Sequence, residues 1–90
     1  MNRKEILDKA YALISIDRDK EYGPAKRNFD VIAKLWGAYL NKELDAVDVS
    51  ILMALLKISR LQTNKKKLDS WQDATGYIAL GGEIATEDES

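Results

Sequence analysis

Asp69 and Asp73 stand four residues apart in Asp69-Ser70-Trp71-Gln72-Asp73-Ala74-Thr75-Gly76-Tyr77, so a helix over this stretch sets two carboxylates on successive turns. At 100° per residue they share one side with Gly76 and Leu80, whereas Leu68, Trp71, Thr75 and Ile78 form a second, largely apolar side. Carboxylates grouped with Leu80 and a glycine do not sit on an ordinary wet face. If buried, each needs an ion pair, a hydrogen bond, a proton or a cation. Two uses compete. In one, Asp69 and Asp73 neutralise Lys57 or Arg60 in an internal ion-pair network. In the other they hold Mg²⁺, which takes one or two protein carboxylates and fills its shell with water or nucleotide phosphate.

Two further sets could serve the same ligand. Asp17-Arg18-Asp19-Lys20-Glu21-Tyr22-Gly23 is a charged loop in which Arg18 and Lys20 can meet phosphate oxygens and Tyr22, beside Gly23, offers an aromatic face for a base or sugar. The same loop also reads as a solvated helix connection. Lys57, with Ser50 and Arg60 at its margins, marks the polar strip of a helix that is otherwise apolar. Asn28 lies inside an apolar arc near Leu35 and Tyr39, where its amide needs partners from the fold or from a ligand. Tyr77 completes the ligand-binding set of Asp17, Arg18, Lys20, Tyr22, Gly23, Asn28, Lys57 and Arg60. The run Lys65-Lys66-Lys67 reads as a solvated loop. Trp36 and Trp71 read as core residues, and Glu5 and Asp8 as a solvated pair.

The elements that must position these groups are helices. Ile6, Ala10, Leu13 and Ile14 recur on one face of a helix from Arg3 to Ile16, which the Gly23-Pro24 step separates from the next. From Pro24 to Asn41 the apolar set is Phe29, Ile32, Ala33, Trp36, Tyr39 and Leu40, widened by Val31, Leu35 and Ala38. Asp45 reads as an N-cap, with Asp48 three residues on and Leu44 and Val49 placed as a staple. The third helix runs from there to Leu61 and is apolar nearly all round, which suits the centre of a bundle or a subunit interface. A fourth spans Leu68 to Ile84. The expectation is an all-α bundle of four helices in one domain, residues 1–84, with an acidic tail at 85–90 that frays. Three companions can hardly cover the third helix in so short a chain, so a homo-oligomer is expected.

Composition narrows the chemistry. Ninety residues make one small domain. With 14 basic and 15 acidic side chains the net charge is −1, and nothing in it calls for nucleic acid or an anionic membrane. The absence of histidine and cysteine removes imidazole bases, thiolates, disulfides and the usual zinc ligands, leaving hard cations held by oxygen. The N-terminus turns acidic before any apolar run, and no run reaches membrane-span length, so a soluble, cytoplasmic protein is expected.

The pattern Asp17-Arg18-x-Lys20-x-Tyr22-Gly23, Asn28-Phe29, Leu35-Trp36-x-x-Tyr39-Leu40, Asp48, Met53-x-Leu55-x-Lys57-x-x-Arg60-Leu61 and Asp69-x-Trp71-x-Asp73-x-x-Gly76-Tyr77 resembles a family of small phage and prophage proteins with no assigned function. More distantly it is similar to the all-α MazG-like nucleoside triphosphate pyrophosphohydrolases and to helical domains associated with phage nucleotide modification. The former hold Mg²⁺ against a triphosphate with Glu-x-x-Glu and Glu-x-x-Asp helices. The resemblance places Asp73 at the final Asp of the second motif. Asn28 stands where the first motif has an acidic pair, and the chain contains no Glu-x-x-Glu.

Residues and resemblance together suggest a phage protein, acting in the host cytoplasm, that binds a nucleotide or nucleotide-like ligand with Mg²⁺ as cofactor, binding being favoured over hydrolysis. In this reading Arg18, Lys20, Lys57 and Arg60 meet phosphates, Tyr22 stacks, Asn28 reads a polar edge, and Asp69 and Asp73 hold the metal or orient the basic residues. The alternatives are an interaction protein that inhibits or redirects a host enzyme, and a sponge that sequesters a host signalling nucleotide.

Overall fold

A computed structural model describes residues 1–17 and 24–87, the side chains of Ile16 and Asp17 excepted. These residues are helical with short connections and contain no strand. Helix α1 spans Arg3–Ala12 and continues into a π-helical turn, Leu13–Asp17. Helix α2 spans Ala25–Leu40, α3 spans Ala46–Thr63 and α4 spans Leu68–Thr86. The fourth helix thus includes Ala85 and Thr86, placed by sequence in a frayed tail. No helix among the described residues is long and apolar enough to cross a membrane.

Local chemistry sets the boundaries. Asp45 caps α3 as its spacing predicts: its Oδ1 accepts from the Asp48 N–H at 2.9 Å, and Asp48 Oδ2 accepts from the Asp45 N–H at 3.0 Å. Asn2 and Glu5 form the same reciprocal box at the start of α1. Helix α2 ends at Asn41, whose φ of 56° is left-handed, a conformation Asn tolerates better than most residues. The chain then turns tightly enough for the Lys42 N–H to donate to the Gly37 carbonyl at 3.0 Å, and a side chain at Gly37 would strike the Lys42 carbonyl.

The core lies where α2, α3 and α4 meet. Phe29 and Ala33 from α2, Ala46 and Val49 from α3 and Leu80 from α4 are buried together, with Ile14, Ile32, Trp36, Leu44, Met53 and Tyr77 packed at the margins. The predicted staple residues Leu44 and Val49 both enter this cluster. Helices α3 and α4 form a close antiparallel pair built on small residues: Ser50 and Ala54 on one helix, Ser70, Ala74 and Gly81 on the other. The Ser50 hydroxyl donates across the pair to the Tyr77 carbonyl. Ser50 is therefore fully buried, not at the edge of a polar strip.

This close pairing reverses the expected faces of α4. Trp71 and Ile78 point outward, Trp71 with 47% of its surface exposed. Trp71 is not a core residue; its indole N–H donates to the Lys65 carbonyl at 2.8 Å and fastens the α3–α4 connection. On α2, likewise, Val31, Leu35, Tyr39 and Leu40 are exposed, so the buried stripe is narrower than the apolar arc in the sequence.

Candidate ligand-binding cleft

Helix α1 and its π-turn lie against α4 through Gly76. An added Cβ there would stand 2.7 Å from Ile14 Cγ2, so the absence of a side chain lets the turn approach α4. Between the two elements is a cleft of about 180 Å³ lined by Leu13, Ile14, Gln72, Asp73, Gly76, Tyr77 and Leu80. Its walls are mainly aliphatic, and its polar groups come from three positions on α4. Pockets of this kind, apolar with a few convergent polar groups, are where small ligands bind.

Asp73 is the charged member. Its Oδ2 lies 3.3 Å from the Lys57 ammonium, with the Lys57 side chain 16% exposed and that of Asp73 31% exposed. The expected ion pair to Lys57 is present, and it joins Lys57 of α3 to a residue of the cleft wall. Tyr77 is half-buried, its ring 6.3 Å from that of Phe29 and tilted by 37°. Gln72 is only 6% exposed; its Nε2 donates to the Met1 thioether at 3.3 Å. A buried primary amide on so weak an acceptor retains most of its hydrogen-bonding capacity.

The remaining candidates are dispersed. The Asp69 side chain is 77% exposed, with Lys67 at 3.9 Å. It is much more exposed than Asp73, although the two are on successive turns. Arg60 is exposed at the far end of α3, and Asn28 is half-buried on α2. Asp17 ends the π-turn, and its side chain, with Arg18, Lys20, Tyr22 and Gly23, lies outside the described residues. Among the described residues no three His, Cys, Asp or Glu side chains gather as a metal site. Of the two carboxylates expected to hold Mg²⁺, Asp69 faces solvent and Asp73 is paired with Lys57.

Gln72, Leu13 and Ile14 are the cleft residues that sequence reading did not single out. The signal for Gln72 is its spacing: it lies four residues before Gly76, on the side of α4 where the missing side chain admits the π-turn.

The chain is 42% identical over 84 residues to the Gene 55 protein of Mycobacterium phage D29, in an alignment covering 93% of this chain and 56% of that protein. It is also 42% identical over 76 residues to the Gene 55 protein of Mycobacterium phage L5, covering 83% of this chain and 49% of that one. The chain therefore spans about half the length of the phage relatives it matches. No solved structure matches it. The family model described as "Domain of unknown function (DUF6378)" matches residues 5–85, nearly the whole chain, and the protein belongs to that family.

Proposed function

We propose that the protein binds a nucleotide or nucleotide-like molecule in the cleft between the π-turn and α4. The observation that carries this reading is that Gln72, Asp73 and Tyr77 line one small, mainly aliphatic cavity, with Lys57 paired to Asp73. The turn that forms the opposite wall leads in sequence directly into Arg18, Lys20 and Tyr22, residues able to meet phosphates and stack on a base. The resemblance of the Asp73 helix to the MazG-like pattern, read from the sequence alone, is a supporting argument for the same ligand class. Binding without turnover is the proposed activity, with Mg²⁺ arriving on the ligand's phosphates. A sponge for a signalling nucleotide needs nothing more.

A thermal-shift panel of nucleotides, deoxynucleotides and cyclic dinucleotides, with and without Mg²⁺, tests this. A ligand that binds only the folded state at a hundredfold excess over its Kd stabilises by about 2.7 kcal/mol. The expected result is a selective shift that Asp73→Asn abolishes while helical content by circular dichroism is unchanged. No shift across the panel sinks the reading.

A second reading rests on a separate observation and is compatible with the first. Ile51, Leu52, Leu55, Leu56 and Ile58 of α3, with Trp71 and Ile78 of α4, are large apolar residues left exposed. Ile51 and Ile78 also share a groove floored by Ser50, Gly81 and Gly82. Together these residues expose on the order of 600 Å² per chain, approaching the roughly 800 Å² that each partner contributes to a standard interface. A second copy of the chain is the proposed partner; a host protein is the alternative, and a monomer in sedimentation equilibrium would favour it.

A further inference from the structure

We propose that a second copy docks antiparallel on the exposed α3–α4 face, with Trp71 of each chain seated in the groove beside Gly82 of the other. The inference rests on the second-copy reading of that face and gives it an arrangement. Ile51, Leu55 and Ile58 recur on one side of α3, and Trp71, Ile78, Gly82 and Ala85 on one side of α4. Ile51 and Ile78 share the groove, and the two helices run in opposite directions. Ile58, seven residues further along α3, is therefore level with Trp71, seven residues back along α4. The face is graded: large side chains project at one end, and Gly82 and Ala85 leave a hollow at the other.

The projecting ring suits the hollow. The groove measures about 270 Å³, and an apolar cavity of roughly 150 Å³ already admits a benzene ring. Its lining hydroxyl, Ser50, already donates to the Tyr77 carbonyl, so the groove calls for an apolar occupant. The Trp71 indole N–H is likewise satisfied by the Lys65 carbonyl at 2.8 Å. The ring is thus held in one position and can be buried without leaving a donor unpaired. A twofold axis across the helices lays α4 over α4 of the second copy, head to tail, with Thr75 near the axis. Trp71 and Gly82 are about 16 Å apart along the helix, so each ring reaches the other chain's hollow and the contact is made twice.

Charge selects this orientation over the parallel one. The Trp71 end carries Lys65, Lys66 and Lys67, whereas the groove end carries Asp45 and Asp48 of α3 and Glu83 and Glu87 of α4, with no lysine or arginine in residues 45–51 or 81–87. Antiparallel docking sets basic end against acidic end; a parallel pair sets like charges together.

Sedimentation equilibrium of wild type, Trp71→Ala and Gly82→Leu tests the seating. An added Cβ at Gly82 meets nothing within 4 Å in the single chain, so leucine there fills the hollow without crowding the fold. Wild type is expected as a dimer that grows no further, and each variant should associate at least about tenfold more weakly with helical circular dichroism retained. In this cysteine-free chain, Thr75→Cys should cross-link to its own mate under mild oxidation. A dimer that Gly82→Leu leaves as tight as wild type overturns the seating of Trp71, and a dimer in which Thr75→Cys fails to cross-link overturns the antiparallel axis; either result leaves the second copy as partner. A monomeric wild type at high micromolar concentration overturns the second-copy reading and this inference with it.

Discussion

Lys57 of α3 and Asp73 of α4 form a pair at 3.3 Å that is more sheltered than the other ion pairs of the described residues. Shelter weakens solvent screening and raises the desolvation cost together, so the pair is sensitive to loss of either partner. A double-mutant cycle with Lys57→Met and Asp73→Asn should give a coupling of about 1 kcal/mol in urea denaturation. The same cycle on the exposed helical pair Lys26 and Asp30, 3.2 Å apart, should give only about 0.3–0.5 kcal/mol and should shrink further in salt. Equal couplings in the two cycles would mean that burial contributes nothing at Asp73.

The two consecutive glycines of α4 are predicted to respond in opposite directions. An added Cβ at Gly81 would stand 2.7 Å from Ser50 Oγ and 3.0 Å from Ser50 Cβ, while at Gly82 it would meet nothing within 4 Å. Ser50 is fully buried and hydrogen-bonded to the Tyr77 carbonyl, so it has little freedom to yield. Gly81→Ala should cost about 1–3 kcal/mol through overpacking. Gly82→Ala should stabilise by up to about 1 kcal/mol from helix propensity alone. Urea midpoints of the two variants check the sign of each.

The α3 and α1 capping boxes have the same hydrogen bonds but should differ in weight. The first turn of α3 carries Ala46 and Val49 into the core, so fraying it means exposing buried surface. Asp45→Ala should lower global stability by about 1 kcal/mol. The first turn of α1 contributes no buried side chain, and Asn2→Ala should open that turn locally and change global stability by only roughly a few tenths of a kcal/mol. Amide hydrogen exchange at residues 3–6 would register the loss that global unfolding does not.

How much of this could be read from the sequence varied by level. The four helices follow from apolar spacing, and the start of α3 follows from Asp45 and Asp48 because a capping box is local chemistry that tertiary contacts rarely override. The orientation of α4 could not be read in the same way. Its strongest apolar face, Trp71 and Ile78, competes with a face of Ser70, Ala74 and Gly81 that permits α3 to approach closely. Contact at close range wins over hydrophobic periodicity, which registers the size of side chains but not how closely two backbones can come together. The same blindness concealed the cleft: Asp73 was legible as a charge on a partly apolar face, but Gln72 joins the cleft wall only because the space beside Gly76 admits the π-turn.

The apolar face displaced outward by that packing carries the last prediction. Ile51 and Ile78 line one groove across α3 and α4, with Gly82 and Ala85 leaving it shallow enough to receive side chains from another molecule. If a second copy occupies it, Ile51→Lys or Ile78→Glu introduces a charge that must be desolvated on association, while both positions tolerate a charge in the isolated chain because they are exposed there. Sedimentation equilibrium should then show wild type as a dimer or higher oligomer and each variant shifted at least tenfold towards monomer, with helical circular dichroism retained. Combining Ile51→Lys with Ile78→Glu should restore association in part if the two residues meet across the interface. Monomeric wild type at high micromolar concentration would rule out the second copy and leave the exposed residues of α3 and α4 to a different protein.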